Sequence, residues 1–115
     1  MAAGGVAYLM GGDAVQISHA AALALKNLLG LACDPVAGLV EVPCVKRNVM
    51  GAVNAMTSSD MVMAGITSKI PPDEVIDAMR AIGRSMSEDI RETGKGGLAG
   101  TPTGVAIRER MAGTL

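Results

Sequence analysis

Cys33-Asp34-Pro35-Val36-Ala37-Gly38-Leu39-Val40-Glu41-Val42-Pro43-Cys44 carries both cysteines of the chain, one at each end. Helical periodicity stops where this stretch begins and resumes where it finishes. Two prolines remove backbone donors and fix φ, while a single glycine relaxes the backbone between them. The composition is that of a constrained loop, and a stiff loop fixes the placement of its two ends.

Outward from the loop the pattern is helical on both sides. Upstream, Asp13 reads as an N-cap with Gln16 as capping-box partner, and Ala14, Ile17, Ala21, Leu25 and Leu28 share one face, predicting a helix over 13–29. His19 falls on its narrow polar side and reads as a partly exposed helix residue with no functional role. Residues 1–12 read as the last turn of a helix continued from earlier chain, poorly ordered at its start. Downstream, Val45 to about Ser68 is apolar on every side, as in a helix buried within a larger protein. Its polar residues Arg47, Gly51, Asn54 and Ser58 form one stripe with Asn48 and Ser59 beside it. That stripe reads either as a wall facing a ligand pocket or as a hydrogen-bonded seam between helices.

Ile70-Pro71-Pro72 ends that helix, and Pro72-Asp73-Glu74 opens a third over about 72–93, with Val75, Ile76, Met79, Ile82, Met86 and Ile90 on its apolar face. Its charged face, with an Arg84–Glu88 pair, reads as solvated. Lys95 to Gly104 reads as a glycine-rich loop, neither helix nor core strand, and Val105 to Met111 as a short final helix. The expected architecture is all-α: about three main helices with short terminal ones, forming part of a larger helical catalytic domain.

Composition narrows the function. A chain of 115 residues allows one domain with a modest core. With 1% aromatics and nine methionines, that core is expected to be built from Ala, Val, Leu, Ile and gap-filling Met. A formal charge of -1 gives no reason to expect nucleic acid or an anionic membrane as partner, and Tyr8 alone offers no stacking platform. Apolar runs are broken by Lys26, Asp60 and Lys69, so no membrane span is expected, and the cytoplasm is the default location.

For the cysteines, a disulfide is disfavoured in a cytosolic chain. Two accounts stay open: buried inert thiols, or ligation of a metal or cluster, which normally takes about four ligands and would have to borrow the rest. A helix beginning right after Cys44 would place free N–H groups and a positive dipole end beside a thiolate.

The run from Asn27 through Cys33 and Cys44 to Lys46-Arg47-Asn48 and Met50-Gly51-Ala52 resembles the C-terminal part of the alpha (catalytic) region of bacterial iron-sulfur-dependent L-serine dehydratase. Gly96-Gly97-Leu98-Ala99-Gly100-Thr101-Pro102-Thr103-Gly104 resembles a second segment of that family, so the similarity extends over nearly all of 1–115. The resemblance implies that Cys33 and Cys44 bind a [4Fe-4S] cluster with a further cysteine from an upstream segment, which this sequence lacks along with the family's Ser-His segment. It implies a fragment or split subunit that would join an upstream catalytic segment or beta subunit, in a homo-oligomer or otherwise. The implied reaction converts L-serine to pyruvate and ammonia, with the cluster as Lewis acid. Arg47, Asn48, Thr101, Thr103 and Gly104 are weaker candidates for contacts with substrate or around the cluster. The competing readings are a non-catalytic truncated fragment or helical docking subunit, and a related cluster-dependent cysteine desulfidase.

Overall fold

The computed structural model describes residues 1–114. It is helical, with α1 (Ala2–Leu9), α2 (Ala14–Lys26), α3 (Cys44–Met63), α4 (Pro72–Ser85) and α5 (Pro102–Ala112), and 3-10 turns at Val36–Gly38, Glu88–Ile90 and Gly97–Gly100. Among the described residues no helix is long and apolar enough to cross a membrane. The chain forms two compact units, Met1–Gly30 with Met50–Arg84, and Leu31–Val49 with Ser85 onward.

In the first unit the helices meet through very small side chains. Ala3, Ala7, Ala20, Ala55 and Val62 form the buried cluster, with Ile17, Leu23 and Ala24 packed against it. A Cβ at Gly4 would stand 3.3 Å from the Ile17 side chain, so α1 rests almost directly on α2. The polar stripe on α3 serves this packing. Ser59 Oγ shares its one proton between the carbonyls of Ala3 and Ala55, each 2.8 Å away, and Asn54 Nδ2 donates to Ala24 O at 3.0 Å. Asn27 Nδ2 and Ser58 Oγ in turn donate to Asn54 Oδ1. From Asn54 onward the stripe is therefore a satisfied seam between helices, which buried hydroxyls and amides require. Methionine does not fill the core as its abundance suggested: the buried apolar residues are alanines and valines, and Met50, Met56 and Met111 are exposed.

Helix limits follow local chemistry. The Asp13–Gln16 capping box forms in both directions, at 2.8 and 2.9 Å. Residues 2–9 are a full two-turn helix with Ala3 and Ala7 in the core, rather than a frayed last turn. α1 and α3 both end in paired backbone bonds closing over a left-handed glycine: Gly12 N to Ala7 O with Gly11 N to Tyr8 O, and Ile66 N to Met61 O with Gly65 N to Val62 O. Gly65 thus stops α3 at Met63, short of the expected Ser68. Likewise α2 stops at Lys26 rather than residue 29, in a turn closed by Leu28 N to Leu25 O and left-handed Gly30. The third predicted helix, expected to reach 93, ends at Ser85, because Ser87 caps a new 3-10 turn and the chain beyond it pairs with Cys33.

In the second unit α5 packs against the 36–38 and 97–100 turns. It starts at Pro102 rather than Val105, since Thr101 is its N-cap: Thr101 Oγ1 accepts from Gly104 N at 3.1 Å. Removing the α2 cap by Asp13→Ala is expected to lower the thermal midpoint of the full chain by roughly 3–5 °C, followed by far-UV circular dichroism. An unchanged midpoint would mean that α2 is held by packing alone.

Candidate functional site

Both cysteines lie in the second unit, half-buried and unbridged. Cys33 is fixed by its own backbone: its N–H donates to Ile90 O at 2.9 Å, and its carbonyl accepts from Glu92 N at 2.7 Å, a short parallel pairing centred on Arg91. Cys44 is the first residue of α3, directly after a cis Val42–Pro43 peptide. Between them the loop folds on itself, with Val36 N bonded to Val42 O at 3.0 Å and Val45 N to Val40 O at 3.0 Å. Ala37 and Gly38 take φ of 55° and 72°, two successive left-handed residues that turn the loop back.

What the sequence reading missed is Asp34. The residue is 3% exposed and its side chain has two partners. Oδ1 receives Arg47 Nη1 at 2.5 Å, and Oδ2 receives the Leu98 N–H at 2.7 Å. The same Nη1 also donates to Ala32 O at 2.8 Å. Burial alone would raise the Asp34 pKa, but the Leu98 N–H and the Arg47 guanidinium outweigh it and hold the carboxyl below its ordinary value. Cys33 goes the other way. Burial raises its pKa, the negative charges of Glu92, Cys44 and Asp34 raise it further, and Arg47 opposes them only in part. Cys33 is therefore less acidic than an ordinary thiol in spite of the nearby Arg47 cation.

The glycine-rich segment is read differently once Asp34 is seen. Gly97 has φ of 58°, and a Cβ there would collide with the Asp34 carboxylate and stand 2.6 Å from its Cβ. The backbone comes close to a side chain of this chain, so that the Leu98 N–H can reach it. Gly104 is buried where a Cβ would meet Leu98 O and Ala99 O, which makes it a packing position between α5 and the preceding turn. Thr101 Oγ1 is occupied, donating to Leu98 O at 2.7 Å while capping α5. Asn48 and Thr103 are exposed. The sequence signal for Asp34 was present: an acid placed directly between a cysteine and a proline, with an arginine one turn into the following helix.

Two thiols in one braced loop are a sound donor set for half of an iron-sulfur or zinc site, since thiolates are the ligands such centres prefer. Among the described residues no group of three or more Cys, His, Asp or Glu converges to complete one. His19, in the first unit, has a buried Nδ1 without a hydrogen-bond partner among the described residues.

Residues 1–99 match the family model described as serine dehydratase alpha chain. The chain belongs to that family. It is 63% identical over 103 residues to the probable L-serine dehydratase alpha chain of Latilactobacillus sakei, covering 90% of this chain and 49% of that one. To the probable L-serine dehydratase alpha chain of Bacillus subtilis strain 168 it is 60% identical over 113 residues, covering 98% and 38%. The L-serine dehydratase alpha chain of Peptoniphilus asaccharolyticus is 51% identical over 108 residues, covering 94% and 37%. The chain thus spans half or less of the length of these relatives.

Gly97→Ala is expected to cost about 2 kcal/mol or more, because it adds both a left-handed backbone penalty and a collision with Asp34. Faster hydrogen exchange at the Leu98 amide would report the lost contact. Gly51→Ala, in α3 where a Cβ meets nothing within 4 Å, is the matched control and should be neutral or stabilising by up to about 1 kcal/mol.

Proposed function

We propose that this chain is the cysteine-bearing part of an L-serine dehydratase alpha region, in which Cys33 and Cys44 are two ligands of a [4Fe-4S] cluster used to convert L-serine to pyruvate and ammonia. The observation that carries this reading is the 60% identity across 98% of the chain to a probable L-serine dehydratase alpha chain, joined to the confinement of both thiols in one braced loop. When bound, such a cluster supplies a Lewis-acidic iron that makes the substrate hydroxyl a better leaving group. At least one further ligand comes from outside this chain, from an upstream alpha segment or a beta subunit. A reducing cytoplasm suits two free thiols held for this purpose.

The remaining roles follow from the placement of this chain's own groups. Cys44 opens α3, so the positive end of the helix dipole stands next to its sulfur and favours negative charge there. Arg47 has Nη1 committed to Asp34 and Ala32, and braces rather than binds through that nitrogen. Asn48 and Thr103, with exposed side chains, are left as donors for the substrate carboxylate, whereas Thr101 and Gly104 shape the segment that carries Thr103.

Anaerobic reconstitution with iron and sulfide tests this, using the chain alone and together with the remainder of an alpha chain from a full-length relative. A broad visible absorption band and pyruvate formation from L-serine are expected only with the partner, and Cys33→Ser or Cys44→Ser should abolish the band. A folded helical chain giving no band under either condition would make the cysteines structural thiols.

A further inference from the structure

We propose that the Arg47–Asp34 pair is a strut that sets the separation of the Cys33 and Cys44 thiols, making Asp34 and Arg47 positioning residues for a metal held between them. The inference rests on reading the two cysteines as ligands. It goes beyond that reading in naming what fixes the distance between them.

Few side chains connect the two thiols. Ten residues separate them along the chain, and that path contains two left-handed residues and exposed Leu39 and Val40. Through the side chains the path is short. Ala32 and Asp34 flank Cys33 on either side, and one guanidinium nitrogen, Arg47 Nη1, bonds both, at 2.8 Å to the Ala32 carbonyl and 2.5 Å to the Asp34 carboxylate. Arg47 itself lies in the first turn of α3, three residues after Cys44, with its own N–H bonded to Pro43 O at 3.1 Å. The guanidinium therefore grips the segment on both sides of one cysteine from a position rigidly tied to the other.

Asp34 cannot swing to accommodate a different separation. Its second oxygen is held by the Leu98 N–H, and the absence of a Cβ at Gly97 is what allows that amide to approach. Cys33 in turn has both of its backbone polar groups engaged, by Ile90 and Glu92. An ion pair with a buried carboxylate is a costly way to brace a loop when apolar packing of the same volume would serve. Its distinctive property is direction: two polar contacts fix distance and orientation together, and two ligands on one metal require both.

The test is an anaerobic titration of the reduced full chain with cadmium ion, followed by sulfur-to-cadmium charge-transfer absorbance, with far-UV circular dichroism as the check on folding. The unaltered chain is expected to bind one cadmium ion through both thiols, more tightly than Cys33→Ser or Cys44→Ser. Asp34→Asn and Arg47→Met, folded, should lose about 10–100-fold in affinity, the loss typical when groups supporting a metal ligand are removed. Arg47→Lys should regain most of it, since one nitrogen makes both contacts and a lysine ammonium carries three donors. If Arg47→Met does not fold, Asp34→Asn and Arg47→Lys decide the matter. Folded Asp34→Asn binding as tightly as the unaltered chain, or Arg47→Lys binding as weakly as the single-serine variants, would overturn the strut. An unaltered chain binding no better than the single-serine variants would instead overturn the assignment of the cysteines as a ligand pair.

Discussion

A carboxylate almost wholly removed from water is tolerable only if its charge is answered, and in the second unit that requirement falls on Asp34. Arg47 answers one oxygen and the Leu98 amide the other. These contacts draw together three stretches distant in sequence: the start of the cysteine loop, the first turn of α3 and the turn at Gly97–Gly100. Because Thr101 at the end of that turn caps α5, the entry of the last helix depends indirectly on the same carboxylate. The loop is held from its ends by side chains, while its tip, with exposed Leu39 and Val40, is held by backbone bonds of its own.

The first unit solves a different problem. Alanine buries little surface, so a cluster of Ala3, Ala7, Ala20 and Ala55 gains modest transfer energy for each residue ordered. The compensation is proximity. Small side chains let backbones come close enough for Ser59 and Asn54 to reach carbonyls on neighbouring helices, so hydrogen bonds span the contacts that larger side chains would fill. Ser58 and Ser59, fully buried in mid-helix, are placed by this constraint.

Much of the fold could be read from local signals that act over a few residues. The Asp13–Gln16 box, the Pro71-Pro72 break and the acids after it fix where α2 and α4 begin, because capping and proline geometry need no distant partner. Helix ends were read less well where the deciding partner is remote. The apolar pattern of α4 continues through Met86 and Ile90, yet the chain leaves the helix at Ser85 to pair with Cys33, a contact no periodicity encodes. Thr101-Pro102 was a legible start signal, obscured by the glycines around it. Within the site, the cysteines declared themselves by type and by proline neighbours. Asp34 did not, since an acid in a loop reads as solvated until the structure shows what covers it. The polar stripe on α3 divided the same way: Arg47 belongs to the cysteine loop, and Asn54 and Ser58 belong to helix packing.

The clearance at Gly97 carries a consequence for how such a sequence can change over time. Asp34 needs the Leu98 amide, that amide reaches it only past a residue without a Cβ, and Arg47 has its Nη1 on Asp34; the buried acid is acceptable only in the presence of both. While Asp34 is present, losing Arg47 strands its buried carboxylate and a Cβ at position 97 collides with it. The constraint therefore runs from Asp34 to its two partners, and the cysteine loop that holds Asp34 is subject to it as well.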